Sequence, residues 1–172
     1  AISAYCAERV PDGKGGTEPR FTFNAYINSR FDAYQLLNSM VSVFRGMVHY
    51  AFGAIHFTAD RPRDPELNVT RANTVNGEFV YKGASLLQQH NRVNVTYNNP
   101  ANGYEREVVS VDEPDDIIKY GLRPTDIVAF ACTSESQAIR AGRWLLYTER
   151  MESETVTYIG GEDHIDIGPG SV

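Results

Sequence analysis

The four histidines are the side chains best suited to ligate a metal or move a proton near neutral pH, and their spacing offers little for either task. His49 and His56 fall on opposite arms of a predicted hairpin and can approach each other. No HExxH pattern accompanies them, and no third ligand can be named. The stretch EDHID crowds Glu162, Asp163, His164 and Asp166, all types that ligate divalent ions, but a solvated loop is the reading adopted. Paired carboxylates for glycoside chemistry need one acid in an apolar pocket. Asp112, Glu113, Asp115 and Asp116 instead surround Pro114 at the start of a predicted helix, where capping and the helix dipole account for them. The sequence has no GxSxG elbow, no GxxxxGKS or GxxxxGKT phosphate loop and no GxGxxG. Gly13, Gly15 and Gly16 form a loose turn without a strand before and a helix after. Cys6 and Cys132 stand far apart with no CxxC, so reduced, buried thiols are expected rather than a disulfide or zinc site. The sequons at Asn68 and Asn94 sit in strand-like runs and are read as chance. No catalytic, cofactor-binding or metal-ligating residue is assigned, and no cofactor is expected.

The elements that would position such residues read as α+β: antiparallel hairpins with two principal helices, at about 29–46 and 133–152. Residues 2–7 and 20–27 read as strands flanking an exposed loop, PDGKGGTEPR, at 11–20. The first helix is predicted from Ser29 and Asp32 as a capping box. Its apolar repeat is Ala33, Leu36, Leu37, Met40, Val43 and Phe44, with Gly46 as the stop. MVHYAF and AIHFTA flank Gly53 as a tight hairpin over 47–59. LNVTR, EFVYKG and HNRVNVTYNN are strand-like, and NNPANG is a turn that pairs RVNVTYN with YEREVVSVD. On that second hairpin Val93, Val95 and Tyr97 alternate with Asn94, Thr96 and Asn98, one apolar and one polar face. DEPDDIIKYG is a short helical turn. Ser134 with Gln137 starts the second long helix, whose narrow face of Ala138, Ala141, Gly142 and Leu145 lets it lie close across a sheet. Trp144 and Leu146 widen that contact, and Arg140, Arg143 and Arg150 point outward. Two subdomains are expected, about 1–62 and about 63–172.

At 172 residues and 42% apolar, the chain can bury a core of its own. No run approaches the roughly 18 apolar residues of a membrane span, and the abrupt ends point to a piece of a longer polypeptide. The net charge of −6 comes without a basic block, which argues against a phosphate-tracking nucleic-acid binder. Lysine occurs only at Lys14, Lys82 and Lys119, so arginine dominates the cations and suits contact surfaces. The ten Tyr and eight Phe fall mostly at alternating strand positions, favouring core and interface over base or sugar stacking.

Three blocks carry a resemblance: FRGMVHYAFGAIHFTADRP, HNRVNVTYNNPANGYEREVVSV and YGLRPTDIVAFACTSESQAIRAGRWLLYTERMESETVTY. In order and spacing they resemble the tail tip attachment (host specificity protein J) family of lambda-like siphophages, from about Arg20 onward. The closing DIGPGSV resembles that family's Pro-Gly turn. The resemblance implies a baseplate-hub-like part of a phage or prophage tail tip, joining the tail tube to a central fibre and supporting host attachment and DNA ejection. It implies a homotrimeric parent, other tail tip and tail tube proteins as partners, and DNA that passes through without specific binding. The expected location is the virion, after assembly in the bacterial host cytoplasm, with no enzymatic activity. Two other readings stay open: a cell-wall hydrolase using Glu113 and Asp116, and a glycan-binding module using exposed tyrosines.

Overall fold

Val93, Val95 and Tyr97 are the buried centre of the molecule, and the strand that carries them organises the rest. The computed structural model describes residues 2–28, 32–51, 53–83, 89–165 and 167–171. Strand β6 (Arg92–Asn99) pairs antiparallel with β7 (Glu105–Asp112), Val93 opposite Val111 and Val95 opposite Val109. The reversal between them runs through Pro100–Asn102, with Gly103 and Tyr104 both at positive φ and the Asn99 side chain accepting from the Ala101 N–H. This is the predicted turn, and the alternation places apolar side chains inward as expected. After helix α3 (Pro114–Tyr120), strand β8 (Pro124–Val128) returns on the other side of β6, parallel to it. The sheet order is therefore β7-β6-β8, with one parallel pair where hairpins were expected throughout. β7 ends beside Arg92, where β6 begins, and α3 carries the chain past β6 at that same end, so β8 leaves antiparallel to β7 and therefore parallel to β6.

Helix α4 (Glu135–Met151) lies across this sheet. Gly142 decides how closely: a Cβ there would stand 2.9 Å from the Val111 Cγ2 and 3.0 Å from the Val95 Cγ2. Ala138 and Leu146 complete the buried stripe over Val93, Val95, Tyr97 and Cys132. The Ser134 hydroxyl accepts from the Gln137 N–H, one half of the predicted capping box. The Gln137 side chain is committed elsewhere, as described below.

The N-terminal third departs from expectation. Residues 2–7 form a helix, α1 (Ile2–Ala7), and not a strand. Six residues with alternating small and apolar types fit either period, and no partner strand was available to decide it. The predicted loop is instead a small antiparallel hairpin, β1 (Arg9–Pro11) with β2 (Thr17–Pro19), turned by Asp12, whose carboxylate accepts from the N–H groups of Lys14 and Gly16. Residues 21–28 carry no regular secondary structure, so the strand predicted at 20–27 is absent. LNVTR is likewise not a strand; there Asn73 holds the Thr70 N–H and the Asn68 carbonyl in a local turn.

Helix α2 (Ala33–Ser42) is shorter than the predicted 29–46. Its N-cap is Asp32, whose carboxylate accepts from the Gln35 N–H; the Ser29 part of the predicted box lies outside the described residues. Gly46 does not stop it. The reversal is made by Arg45 at φ 58, and Gly46 opens strand β3 (Gly46–Ala51), packed so tightly on the Phe44 ring that a Cβ would collide. Strand β3 pairs with β4 (Ala54–Ala59) around Gly53 at φ 79, the predicted hairpin. The last sheet joins β5 (Thr74–Gly83) to β9 (Glu154–Gly160) as a two-stranded ribbon. Beyond it, Gly170 sits on Met47 and Thr58, and Arg63 donates to its carbonyl, so the C-terminal turn is fastened to β3 and β4.

Candidate functional site

The densest set of specific polar contacts lies where the N-terminal hairpin meets helix α4. Glu18, the middle residue of β2, accepts from the Ser134 and Ser136 hydroxyls and from Arg140, whose Nη1 stands 2.6 Å from the carboxylate. The carboxylate therefore faces the first turn of a 17-residue helix, where unpaired N–H groups favour negative charge. Burial by itself would raise the Glu18 pKa; the donors Ser136, Ser134 and Arg140 together outweigh it and hold the group below its ordinary value. Arg140 also donates to the Arg20 carbonyl, so it points into the fold, against the expectation that it faces solvent. Arg143 and Arg150 are exposed as expected. Charge alone did not distinguish the three; only Arg140 lies on the turn that faces β2.

Gln137 acts as a surrogate strand. Its Oε1 accepts from the Thr22 N–H at 3.0 Å and its Nε2 donates to the Thr22 carbonyl at 3.1 Å, giving Thr22 the pairing that, among the described residues, no neighbouring strand supplies. Asn24 adds a backbone bond to Ala131 and a side-chain bond to Thr133. Asn91 plays the same part elsewhere. Fully buried, it donates to the Gly121 carbonyl and accepts from the Arg123 N–H, tying the entry of β6 to that of β8.

One turn further along the same flank of α4, Arg45 spreads its guanidinium over the rings of Trp144 and Phe21 at 5.1 and 5.4 Å and reaches the Arg140 carbonyl. Burial pulls its pKa down from the ordinary value. The Trp144 Nε1 donates to Asp60. Between these groups, Val43, Ile127, Phe130 and Leu145 line an apolar cavity of about 220 Å³.

The uncovered face of the three-stranded sheet is the polar one. Arg92 makes a two-pronged pair with Asp112 at 2.6 Å for both contacts, and the Asn94 amide bridges Ser110 and Asp126. The Arg92 partner holds Asp112 below its usual pKa. Asn94, one of the two sequon residues, thus spends its amide within the sheet. Val108 and Val128 flank Thr96 on the same face and are both exposed.

The residues first considered for chemistry are dispersed. His49 and His56 are directly opposed on β3 and β4, their rings stacked at 5.4 Å, and His56 Nε2 lies 3.1 Å from the Ala51 carbonyl. Among the described residues no group of three or more His, Cys, Asp or Glu is arranged to hold a metal. His164 packs against Tyr158 and under Gly160, away from any cluster with Glu162 and Asp163; Asp166 lies outside the described residues. Asp112 is committed to Arg92, Asp115 and Asp116 lie in the first turn of α3, and Glu113 is its N-cap without a side-chain bond. The clefts beside Trp144 and Ser134 are lined by other residues, whereas His49 and His56 both line a third cleft together with Arg63, Glu66 and the C-terminal turn. Cys132 is buried and Cys6 half-buried; both are free thiols whose pKa burial raises. No helix among the described residues is long and apolar enough to cross a membrane.

Comparison with known proteins finds phage tail proteins. A family model described as "Putative phage tail protein" matches residues 32–172. Tip attachment protein J of Escherichia phage SECphi27 is 40% identical over 157 residues, covering 91% of this chain and 13% of that protein. Tip attachment protein J of Escherichia phage SECphi4 is 30% identical over 172 residues, 99% of this chain and 15% of that protein. The chain therefore spans well under a fifth of the length of these relatives.

Proposed function

The chain belongs to the phage tail protein family that matches residues 32–172, and from that premise we propose that it forms part of the hub at the tail tip, joining tail tube to central fibre. The observation that carries the reading is the 40% identity to a tip attachment protein J across 91% of the chain. In this reading three copies of the parent surround the tail axis, with other tail tip and tail tube proteins as neighbours, and assembly takes place in the host cytoplasm. The molecule suits such work. Among the described residues the densest polar contacts fasten the chain's own segments, and no three metal-ligating side chains are grouped. We assign it no enzymatic activity; unchanged turbidity of purified cell walls incubated with the protein is the expected result.

Two further parts of the proposal concern division and charge. Residues 1–62 and 63–172 are taken as two subdomains meeting along α4, through the Glu18–Arg140 and Asp60–Trp144 contacts. Part of the acidic surface of this −6 chain is taken to line the DNA path, where repulsion keeps the duplex mobile. The test of the hub reading is solution mass by light scattering over a concentration series, on this chain and on one extended at both ends. A trimer in the longer form is expected, and monomers of it at high concentration would count against the hub. Reversing several surface carboxylates to lysine is expected to slow genome ejection; an unchanged rate removes the channel part alone.

A further inference from the structure

The ribbon of β5 and β9 presents more apolar surface than a two-stranded element holds comfortably in water. Val80 and Tyr81 are each 65% exposed, Ile159 70% and Val156 42%, and these four lie on both faces of the ribbon. Among the described residues neither strand has a second neighbour, so β5 offers an open row of backbone donors and acceptors. Such an edge pairs with whatever complementary strand reaches it.

We propose that the open edge of β5, Glu78–Lys82, is a self-complementary contact that pairs antiparallel with the same strand of a second copy. The reason is the order of the five residues, Glu-Phe-Val-Tyr-Lys. Turned about Val80, the strand sets Glu78 opposite Lys82, Phe79 opposite Tyr81 and Val80 opposite itself, and the two-fold repeats the first two pairs. Opposite charges and aromatic pairs are the combinations that stabilise directly opposed positions in antiparallel strands. Face is preserved as well. Glu78, Val80 and Lys82 alternate with Phe79 and Tyr81, so a two-fold axis normal to the sheet keeps the aromatic side continuous from one copy to the next. That side already carries the Phe79 contacts with Tyr81 and Tyr158, at 6.4 and 5.9 Å between ring centres. The product is a four-stranded sheet, β9-β5-β5-β9.

The contact goes beyond the tail-tip reading and does not depend on it, since a two-fold contact cannot by itself build a three-fold ring. Light scattering on the whole chain over a concentration series separates them. The expected result is a reversible dimer. Glu78→Lys alone and Lys82→Glu alone each place like charges opposite one another twice and are expected to raise the dimer dissociation constant by roughly tenfold. The double exchange, Glu78→Lys with Lys82→Glu, restores opposite charges in the reversed sense and is expected to recover the original constant. Far-ultraviolet circular dichroism guards against misfolding; both positions are exposed and should leave it unchanged. A chain monomeric at every concentration overturns the proposal, as does a dimer indifferent to the single changes. A trimer indifferent to them overturns it too, while leaving the tail-tip reading intact.

Discussion

At the scale of single residues, this chain uses side-chain amides and carboxylates where most folds use backbone. Gln137 is buried and satisfies both the donor and the acceptor of Thr22. Gln137→Ala leaves those two groups without partners, and the expected cost is about 2 kcal/mol of unfolding free energy, read from urea midpoints. Glu18 supplies a pH-dependent contribution whose sign follows from its depressed pKa. Its ordinary value is 4.5 and its folded value is lower, so its stabilisation is complete above 4.5 and is lost as pH falls through the folded value. Glu18→Gln is therefore expected to lower stability at pH 7 by about 1–2 kcal/mol. The gap from the unmodified chain should narrow below pH 4.5. A gap that stays constant from pH 7 to pH 3 would mean the carboxylate charge is not what Ser134, Ser136 and Arg140 bind. Sequence offered a signal for Ser134, since the cap pattern is local, but none for Glu18, which lies 116 positions away from it.

At the scale of elements, the decisive contact is α4 on the sheet. Small residues at Ala138, Ala141 and Gly142 could be read directly from helical spacing, and the close approach at Gly142 bears that reading out. Gly142→Leu is expected to destabilise by about 3 kcal/mol, because the stiff, buried Val95 and Val111 methyls cannot yield. Gly142→Ala should cost less, the clash being partly offset by the roughly 1 kcal/mol that alanine gains over glycine in a helix. Thermal unfolding of the two variants checks the order; equal stability would mean the helix rides higher than its glycine requires. Elements defined by their own periodicity, such as the β6–β7 hairpin and α4, matched expectation. Those needing a partner to choose their state, α1 and the segment 21–28, did not.

At the scale of the whole molecule, the features that suit an assembly part are its uncovered surfaces. The sheet face bearing Arg92, Asn94 and Asp112 and the β5–β9 ribbon both meet solvent in the single chain. The masses expected for the longer form and for this chain, a trimer and a dimer, report on different surfaces, so one result does not stand in for the other. Among the described residues His49 stacks on His56 and His90 bonds to Glu149, and no three of the histidines, cysteines and carboxylates are grouped to hold a metal.

By itself the amino-acid order determined the α+β class, both long helices, the two principal hairpins and the apolar face of β6, because each is a repeat of period 2 or 3.6 closed by local turn or cap chemistry. The three blocks near residues 44–62, 90–111 and 120–158 also carried the family. Tertiary structure alone decided that β8 runs parallel to β6, that Arg140 turns inward to Glu18, and that Gln137 pairs with Thr22. These depend on which distant group is brought within about 3 Å of a donor, and hydrogen-bonding reach of that kind leaves no periodic trace along the chain.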